Sequence, residues 1–292
     1  MKKINQFKIL LLMASIMSFL TACNVSSTGK DTAKKAKTAQ IVKKPKFKDT
    51  PTLYFHGLMG SYKNEEPLVN AAKRAQKSNS IIRANVDDHG KVKLKGTIKK
   101  NAKNPIVEVN FKDNVQPNFS RNGTYASNVV KALQKKYYIN KVNMVGYSLG
   151  NMAIMYYMIQ NGNKKKMPKL VKQVSIAGHY DGAYFKELPP GFRQPKGLKL
   201  DKNGKPNKMN QTYKEMLAAR PIYQKNKVKI LNIYGDVGNN SDGVVEIPSA
   251  LSLKYLTPNS DYHLAKFTGV KADHGGLPNN PKVIQKIIEF LW

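Results

Sequence analysis

Cysteine, tryptophan and acidic residues are all scarce in this chain of 292 residues. The single cysteine excludes an intramolecular disulfide framework and any zinc site built from several cysteines. Only 18 Asp and Glu oppose 50 Lys and Arg, so the net charge is +32 and an anionic counterpart is expected. Hydrophobic residues nevertheless make up 41% of the chain, which is enough for a sizeable core and excludes disorder of the whole chain.

The N-terminus combines lysines with a hydrophobic run that is too short to cross a bilayer. Residues 9–20 form 12 uncharged and mostly apolar positions, whereas a membrane-spanning helix needs about 20. The run ends in Leu20-Thr21-Ala22-Cys23, which is typical of a lipobox after a signal peptide. We therefore predict a lipoprotein signal peptide over residues 1–22 and a lipid anchor on Cys23, which would hold the mature protein at the extracellular face of the membrane.

Residues 23–50 are rich in Lys, Thr, Ser and Ala and show no apolar period. Such a segment cannot bury enough surface to offset its ordering entropy, so it is predicted to be a Lys-rich tether. The tether is expected either to be a plain spacer or to lie against anionic lipid headgroups.

Residues 51–292 alternate between strand-like and helical patterns. Strands are predicted over residues 52–55, 80–86, 91–97, 106–111, 142–145, 171–177, 228–234 and 263–267, the second and third as a hairpin. Helices are predicted over residues 65–76, 125–137, 152–159 and 281–292. This alternation indicates a single α/β domain with a mostly parallel sheet.

Residues 181–220 break the alternation with several Pro, Gly and Lys residues. A loop of this length inside a compact domain is uncommon and is usually functional or mobile. Two interpretations stay open: an insertion over the carboxyl edge of the sheet that acts as a lid, and a disordered surface excursion.

Gly146-Tyr147-Ser148-Leu149-Gly150 matches the pattern G-x-S-x-G. In a nucleophile elbow, glycines two residues before and after the serine permit a strained turn that exposes the hydroxyl. A predicted strand leads into the motif and an apolar helix leads out, as such an elbow requires. Ser148 is therefore the candidate nucleophile.

A serine nucleophile needs a base, and the chain offers five histidines. His56 lies in the exit loop of the first strand, where an oxyanion loop is expected, and His89 lies in the hairpin turn. His179 follows a strand and could line a cleft, whereas His263 lies within a strand. His274 lies between the last strand and the last helix. Hydrolases with a nucleophile elbow carry their catalytic residues in the chain order Ser…Asp…His, which places the base there, so His274 is the predicted base.

The same order requires a carboxylate after residues 228–234 and before His274. Asp236 and Asp242 both qualify. Asp242 is favoured because Ser241-Asp242-Gly243-Val244-Val245 resembles the acid loop of bacterial lipases, and Asp236 stays open as the alternative. The oxyanion hole is expected from the backbone N–H groups of Leu58 and Leu149.

Several segments together resemble the uncharacterised cell-surface α/β-hydrolases of Gram-positive bacteria, which are relatives of the lipases. They are Phe55-His56-Gly57, Phe111-Lys112-Asp113-Asn114, the Ser148 motif, the Asp242 loop and His274-Gly275-Gly276-Leu277. The resemblance implies an α/β-hydrolase fold over residues 51–292 and a Ser–Asp–His triad. The chain departs from the family at Tyr147, where histidine is common, at Asn151, where glycine is common, and at residues 179–182.

No metal-protease, EF-hand, Walker or dinucleotide motif is present, so neither a metal nor a cofactor is expected. The expected function is a serine hydrolase of small-molecule or lipid carboxylic esters. The alternative is a non-catalytic surface-binding lipoprotein on the same scaffold. No nucleic-acid-binding motif accompanies the basic charge, so nucleic acid is not the expected partner. Two interpretations of the charge stay open: it binds anionic lipid or a phosphate-bearing wall polymer, or it serves only to keep the protein soluble.

Overall fold

The computed structural model describes residues 49–184 and 192–292. Within these residues eight strands form one sheet. They are β1 (Thr52–Phe55), β2 (Ile81–Val86), β3 (Val92–Lys95), β4 (Ile106–Phe111), β5 (Lys141–Tyr147), β6 (Lys169–Ile176), β7 (Lys229–Asp236) and β8 (Asp261–Thr268). Every predicted strand is confirmed, with ends that differ by a few residues.

The strands lie in the order β3-β2-β4-β1-β5-β6-β7-β8. Only the β2–β3 pair is antiparallel, and all other neighbouring pairs are parallel. The predicted hairpin is confirmed, and its turn is held by Asp87, whose carboxylate accepts the backbone N–H groups of His89 and Lys91. The parallel order brings the C-terminal ends of β1 and β5–β8 to one edge of the sheet, which we call the carboxyl edge.

The described residues also form eight α-helices. They are α1 (Glu66–Arg74), α2 (Phe119–Tyr137), α3 (Gly150–Asn161), α4 (Gln211–Met216), α5 (Arg220–Asn226), α6 (Ile247–Leu251), α7 (Leu253–Leu256) and α8 (Pro281–Leu291). The four predicted helices correspond to α1, α2, α3 and α8. Helix α2 begins six residues before the predicted start at residue 125, because the side chain of Asn118 accepts the N–H of Arg121 and caps it at Phe119.

Two hydrophobic cores cover the two faces of the sheet. Leu53 and Phe55 of β1 belong to the core that contains the apolar faces of α2 and α3. Tyr54, between them in sequence, belongs to the opposite core, which is formed with α1 and α8. Successive side chains of a strand point to opposite faces, so a continuously apolar strand such as β1 is buried on both sides.

The described part of the predicted insertion at residues 181–220 is only partly irregular. Isolated bridges pair Ala183 with Arg193 and Leu200 with Pro206. Helix α4 follows and is packed into the core, where Tyr213 and Met216 are fully buried. Residues 185–191 lie outside the described residues, so the lid remains a prediction.

The predicted signal peptide, the lipidation site Cys23 and all but the last two residues of the tether lie outside the described residues. No helix among residues 49–184 and 192–292 has the length and apolar character needed to span a membrane.

Candidate active site

Ser148 lies at the turn between β5 and α3, at the carboxyl edge. Its φ of 49° falls in the left-handed region, and its N–H donates to the carbonyl of Ile176 over 3.0 Å. The turn passes so close to β1 that a Cβ atom on Gly150 would lie 2.1 Å from the carbonyl oxygen of Phe55. Only glycine fits there, which explains the second glycine of the motif.

Asn151 holds this turn through hydrogen bonds from its buried side chain. Its side chain is fully buried, and its amide donates to the carbonyl oxygens of Ser148 and Ile176, each at 3.1 Å. The hydroxyl of Tyr180 lies 3.4 Å from its Oδ1. In the sequence, Asn151 differs from the glycine of the family pattern, but no spacing in the sequence indicates these bonds.

The structure brings Ser148, His274 and Asp242 into one hydrogen-bonded chain. The Oγ of Ser148 lies 2.9 Å from Nε2 of His274, and Nδ1 of His274 lies 2.8 Å from Oδ2 of Asp242. All three residues are at most 9% exposed. With the Nδ1 proton donated to the carboxylate, Nε2 is free to accept the serine proton, which is the arrangement that activates a serine nucleophile.

Asp242 is held in place by the loop in which it lies. Its Oδ1 accepts the backbone N–H groups of Val244 at 3.0 Å and Val245 at 2.7 Å. Its carbonyl oxygen accepts the N–H of His274 at 2.8 Å, so backbone and side chain both join the two loops. The carboxylate therefore has little freedom to leave the imidazole.

Asp236, the alternative acid, lies away from this chain. Its carboxylate accepts the N–H of Gly238 at 3.0 Å and pairs with Lys266 at 2.7 Å. The Lys266 ammonium lowers the pKa of Asp236. Of the two candidates left open by the sequence, it is Asp242 that contacts His274.

The loop that carries His274 also approaches a strand end very closely. A Cβ atom on Gly235 would lie 1.8 Å from the carbonyl oxygen of Ala272. Asp273 is exposed and its carboxylate accepts the N–H of Gly276 at 3.1 Å, so it shapes the loop and does not contact the imidazole of His274. The absence of a side chain on Gly235 lets the base reach Ser148.

Tyr147 supports the same loop from the side of the elbow. Its hydroxyl donates to the carbonyl oxygen of His274 at 3.1 Å, and the two rings are 5.4 Å apart. Burial raises the pKa of Tyr147 to about 12, so the hydroxyl stays a donor at neutral pH. Sequence reasoning missed this contact because the two residues are 127 positions apart.

His56 lies where the oxyanion loop was expected. It is 3% exposed, and its Nε2 accepts the N–H of Phe111 at 3.1 Å while its Nδ1 donates to the carbonyl of Gly57 at 2.9 Å. Burial lowers its pKa and favours the neutral ring that this pair of bonds requires. His56 therefore ties the loop before Leu58 to β4.

The two predicted oxyanion donors flank Ser148. Leu58 and Leu149 both line the same cleft as the serine. Met59 anchors the first loop, since its N–H donates to the carbonyl of Asn114 at 2.9 Å. Within the described residues neither the Leu58 nor the Leu149 N–H donates to a protein acceptor, so both are free for a ligand oxygen.

The cleft above Ser148 has mostly apolar walls. Its apolar lining residues are Leu58, Val115, Pro117, Phe119, Leu149, Ala183 and Phe192. His179 also lines it, as the sequence allowed, and burial together with the nearby His274 lowers its pKa to about 4. No Asp, Glu, Lys or Arg of the described chain lines the cleft.

The two remaining histidines lie elsewhere. His89 is in the hairpin turn, and His263 is on the edge strand β8, paired with Asp261 at 2.9 Å. Across residues 49–184 and 192–292, no three His, Cys, Asp or Glu side chains are grouped as a metal ion would require.

Comparison with known proteins identifies the family. Residues 39–292 match the family described as "alpha/beta hydrolase of unknown function (DUF915)". The chain belongs to this family. The predicted α/β-hydrolase fold is thereby confirmed, with an eight-stranded, mostly parallel sheet between helices.

Solved structures agree on the fold. The chain is similar to the lin2722 gene product of Listeria innocua, with 23% identity and a TM-score of 0.70 over 83% of this chain and 94% of that chain. It is also similar to a provisionally named cell surface hydrolase of Lactobacillus plantarum WCFS1, with 18% identity and a TM-score of 0.57 over 82% of this chain and 89% of that chain. No curated protein matches the chain.

Proposed function

We propose that the protein is a serine hydrolase of carboxylic esters that works through an acyl-serine intermediate. The observation that carries this proposal is the chain from Ser148 through His274 to Asp242, with heavy-atom distances of 2.9 and 2.8 Å, at the floor of an apolar cleft. Hydroxyl, imidazole and carboxylate lie within the distances that proton transfer needs.

In the first half-reaction, Oγ of Ser148 attacks the ester carbonyl and its proton passes to Nε2 of His274. Asp242 keeps the imidazole in the correct tautomer and stabilises the imidazolium. The N–H groups of Leu58 and Leu149 bind the oxyanion of the tetrahedral intermediate. When that intermediate collapses, the C–O bond to the alcohol breaks and the leaving oxygen takes the proton from His274.

In the second half-reaction, water attacks the acyl-serine. His274 takes a proton from this water and returns it to Oγ of Ser148, which releases the carboxylic acid. No cofactor or metal takes part in either step.

The walls of the cleft support an uncharged ester as substrate. The apolar side chains above Ser148 can bury an acyl or alkyl chain, at about 0.8 kcal/mol for each buried CH₂ group. His179 stays neutral near pH 7 because its pKa is about 4. A small-molecule or lipid ester therefore fits better than a substrate that carries a charge beside the scissile bond.

Location at the cell surface through a lipid on Cys23 is part of the proposal. It is supported by the lipobox in the sequence and by the provisional name of the similar Lactobacillus protein. The non-catalytic alternative is less well supported, because a binding protein would be free to lose any member of the hydrogen-bonded chain.

The proposal is tested with a fluorophosphonate probe and nitrophenyl esters from acetate to laurate. Wild type is expected to be labelled and to hydrolyse these esters, whereas Ser148→Ala should lose both properties and His274→Ala should lose turnover. Ser120→Ala is the matched control, since Ser120 is an exposed serine of α2 outside the cleft. Labelling of folded Ser148→Ala at the wild-type level would contradict the proposal.

A further inference from the structure

The edge of the sheet opposite Ser148 collects an unusual amount of positive charge. Residues 131–141, 162–172 and 220–229 carry thirteen Lys or Arg and no Asp or Glu. These segments meet because α2, α3 and α5 end at this edge and the neighbouring strands β5, β6 and β7 begin there. Side-chain amides join them, from Gln134 to the carbonyl of Lys166 at 2.8 Å and from Asn226 to that of Gly162 at 3.2 Å.

A cavity opens between these segments, and we call it the amino-edge cavity. Its charged lining consists of four lysines, Lys164, Lys165, Lys169 and Lys225. The amides of Asn161, Asn163 and Asn226 also line it, and within the described residues no carboxylate does. The lining is therefore strongly cationic and contains no internal counterion.

The lysines that line the cavity are not neutralised by neighbours, whereas Lys229 at the start of β7 pairs with Asp261 at 3.7 Å. None of the four lining lysines forms an ion pair with any residue that the structure describes. Lys169 also lies directly opposite Lys141 in the parallel register of β5 and β6. Like charges directly opposite one another destabilise a sheet, so this arrangement has a cost that a bound anion would remove.

We propose that the amino-edge cavity binds the phosphate groups of a linear polyol-phosphate polymer, a single chain in which phosphodiesters join small polyols and no bases are present. Lysine ammonium groups are compact charges that bind phosphate oxygens, and several of them around one cavity can neutralise more than one phosphate. The lysines continue outside the cavity, on α2 and at the first residue of β5, as a chain with repeated charges would require. A free phosphate would leave these outer lysines unused.

The surroundings of the cavity favour a polymer over a membrane surface. Membrane surfaces are bound by cations together with exposed apolar side chains that enter the bilayer. Of the large hydrophobic side chains that are exposed in the described residues, none lines this cavity, and a single one, Tyr138, lies in the three lysine-rich segments. A concave site also admits a single chain more readily than a flat layer of headgroups.

The amino-edge cavity is distant from the cleft. Helix α3 separates the two, and its 12 residues span about 18 Å at 1.5 Å per residue. The proposal therefore does not depend on ester hydrolysis. A protein that does not bind the polymer could still hydrolyse esters, and an inactive enzyme could still bind the polymer.

The test uses a synthetic glycerol-phosphate hexamer and isothermal titration at about 0.15 M salt, where charges more than about 8 Å apart are screened. The variant carries Lys164→Gln, Lys169→Gln and Lys225→Gln. Its affinity for the hexamer should fall by on the order of 100-fold, because three cations that face the phosphates are lost. The slope of log K against log salt should also fall by about 2.

The matched control replaces Lys91, Lys93 and Lys95 by glutamine, which removes the same charge from the edge strand β3 and the residue before it, four positions from β5 in the strand order. Its affinity should stay within about threefold of wild type because of screening at this salt concentration. Neither variant should melt below the wild-type temperature, which verifies that both fold.

Three further ligands distinguish the sources of phosphate: glycerol 1-phosphate, phosphatidylglycerol vesicles and a DNA duplex. The hexamer is expected to bind most tightly of the four. Equal binding of the monomer, tighter binding of vesicles or DNA, or an equal loss in both lysine variants would overturn the proposal. Absence of any hexamer binding would also overturn it and leave these lysines as partners of the helix C-termini.

Discussion

Replacing Asp242 by asparagine changes which nitrogen of His274 carries the proton. In the structure, Oδ1 of Asp242 accepts two backbone N–H groups, from Val244 and Val245, and Oδ2 accepts Nδ1–H of His274. In Asp242→Asn the amide oxygen must stay toward the two backbone donors, because the opposite orientation would place NH₂ against two N–H groups. The amide NH₂ then faces Nδ1.

This orientation forces Nδ1 to become the acceptor, so the ring proton moves to Nε2. The Nε2 atom, 2.9 Å from the hydroxyl of Ser148, can then no longer take the serine proton. In serine proteases the corresponding substitution lowers kcat by about 10⁴, which equals about 5.4 kcal/mol at 1.36 kcal/mol for each factor of ten. A loss of this order is expected here, with the fold retained.

The assay is ester hydrolysis across a pH series, with circular dichroism and thermal melting to verify the fold. Asp236→Asn is the matched control, since Asp236 binds Gly238 and Lys266 instead of the imidazole. It should change kcat by less than about threefold through loop order alone. A folded Asp242→Asn enzyme within tenfold of wild type, or a larger loss in Asp236→Asn, would refute the reasoning.

Two further predictions concern stability and processing. Burial raises the pKa of Asp181 to about 6, and its Oδ2 has no partner within the described residues. The folded protein therefore favours the protonated carboxyl, so its stability is complete below about pH 4 and falls as the pH rises to 6. Asp181→Asn should therefore stabilise the protein by roughly 1 to 2 kcal/mol above pH 6. The rise in pKa corresponds to about 3 kcal/mol, and the gain is smaller because the new NH₂ group lacks a hydrogen-bond partner. Urea unfolding should show that this gain disappears near pH 4, and a gain that persists there would contradict it. Cys23→Ser should abolish metabolic labelling with a fatty acid, and equal labelling of both proteins would rule out the lipobox.

The strands and main helices were predictable because their patterns are local. A strand buried on both faces, such as β1, must be apolar throughout, and α8 must present one apolar face to the sheet. Helices α4 to α7 were missed because each is at most seven residues long. The buried Tyr213 and Met216 of α4 lie among lysines and glycines that are typical of loops.

The nucleophile and the base of the candidate site were predictable because the strand order of the fold fixes where along the chain each must lie. Ser148 and His274 follow from the order of nucleophile and base along the chain, and their hydrogen bond joins residues 126 positions apart. The choice of Asp242 over Asp236 depended on resemblance, since both follow β7. Tyr147 contacts the loop of His274, and Asn151 contacts the turn of Ser148, through hydrogen bonds that no spacing in the sequence indicates.

Parallel topology also explains why the two proposed sites lie at opposite edges. Residues just after parallel strands converge at the carboxyl edge, where backbone N–H groups and left-handed turns such as that of Ser148 are available. Residues just before these strands converge at the other edge, where helices end with free carbonyl groups that favour lysine. The lysines that begin β5, β6 and β7 therefore have a structural reason for being cationic. Lys169 lies directly opposite Lys141 because β5 and β6 are neighbours and each begins with such a lysine. Helix ends favour positive charge one helix at a time, whereas a shared anionic ligand favours it across neighbouring elements. Three of the lysines that line the cavity follow α3 and Lys225 lies in the last turn of α5, so both explanations predict these lysines and only the titration with the hexamer distinguishes them.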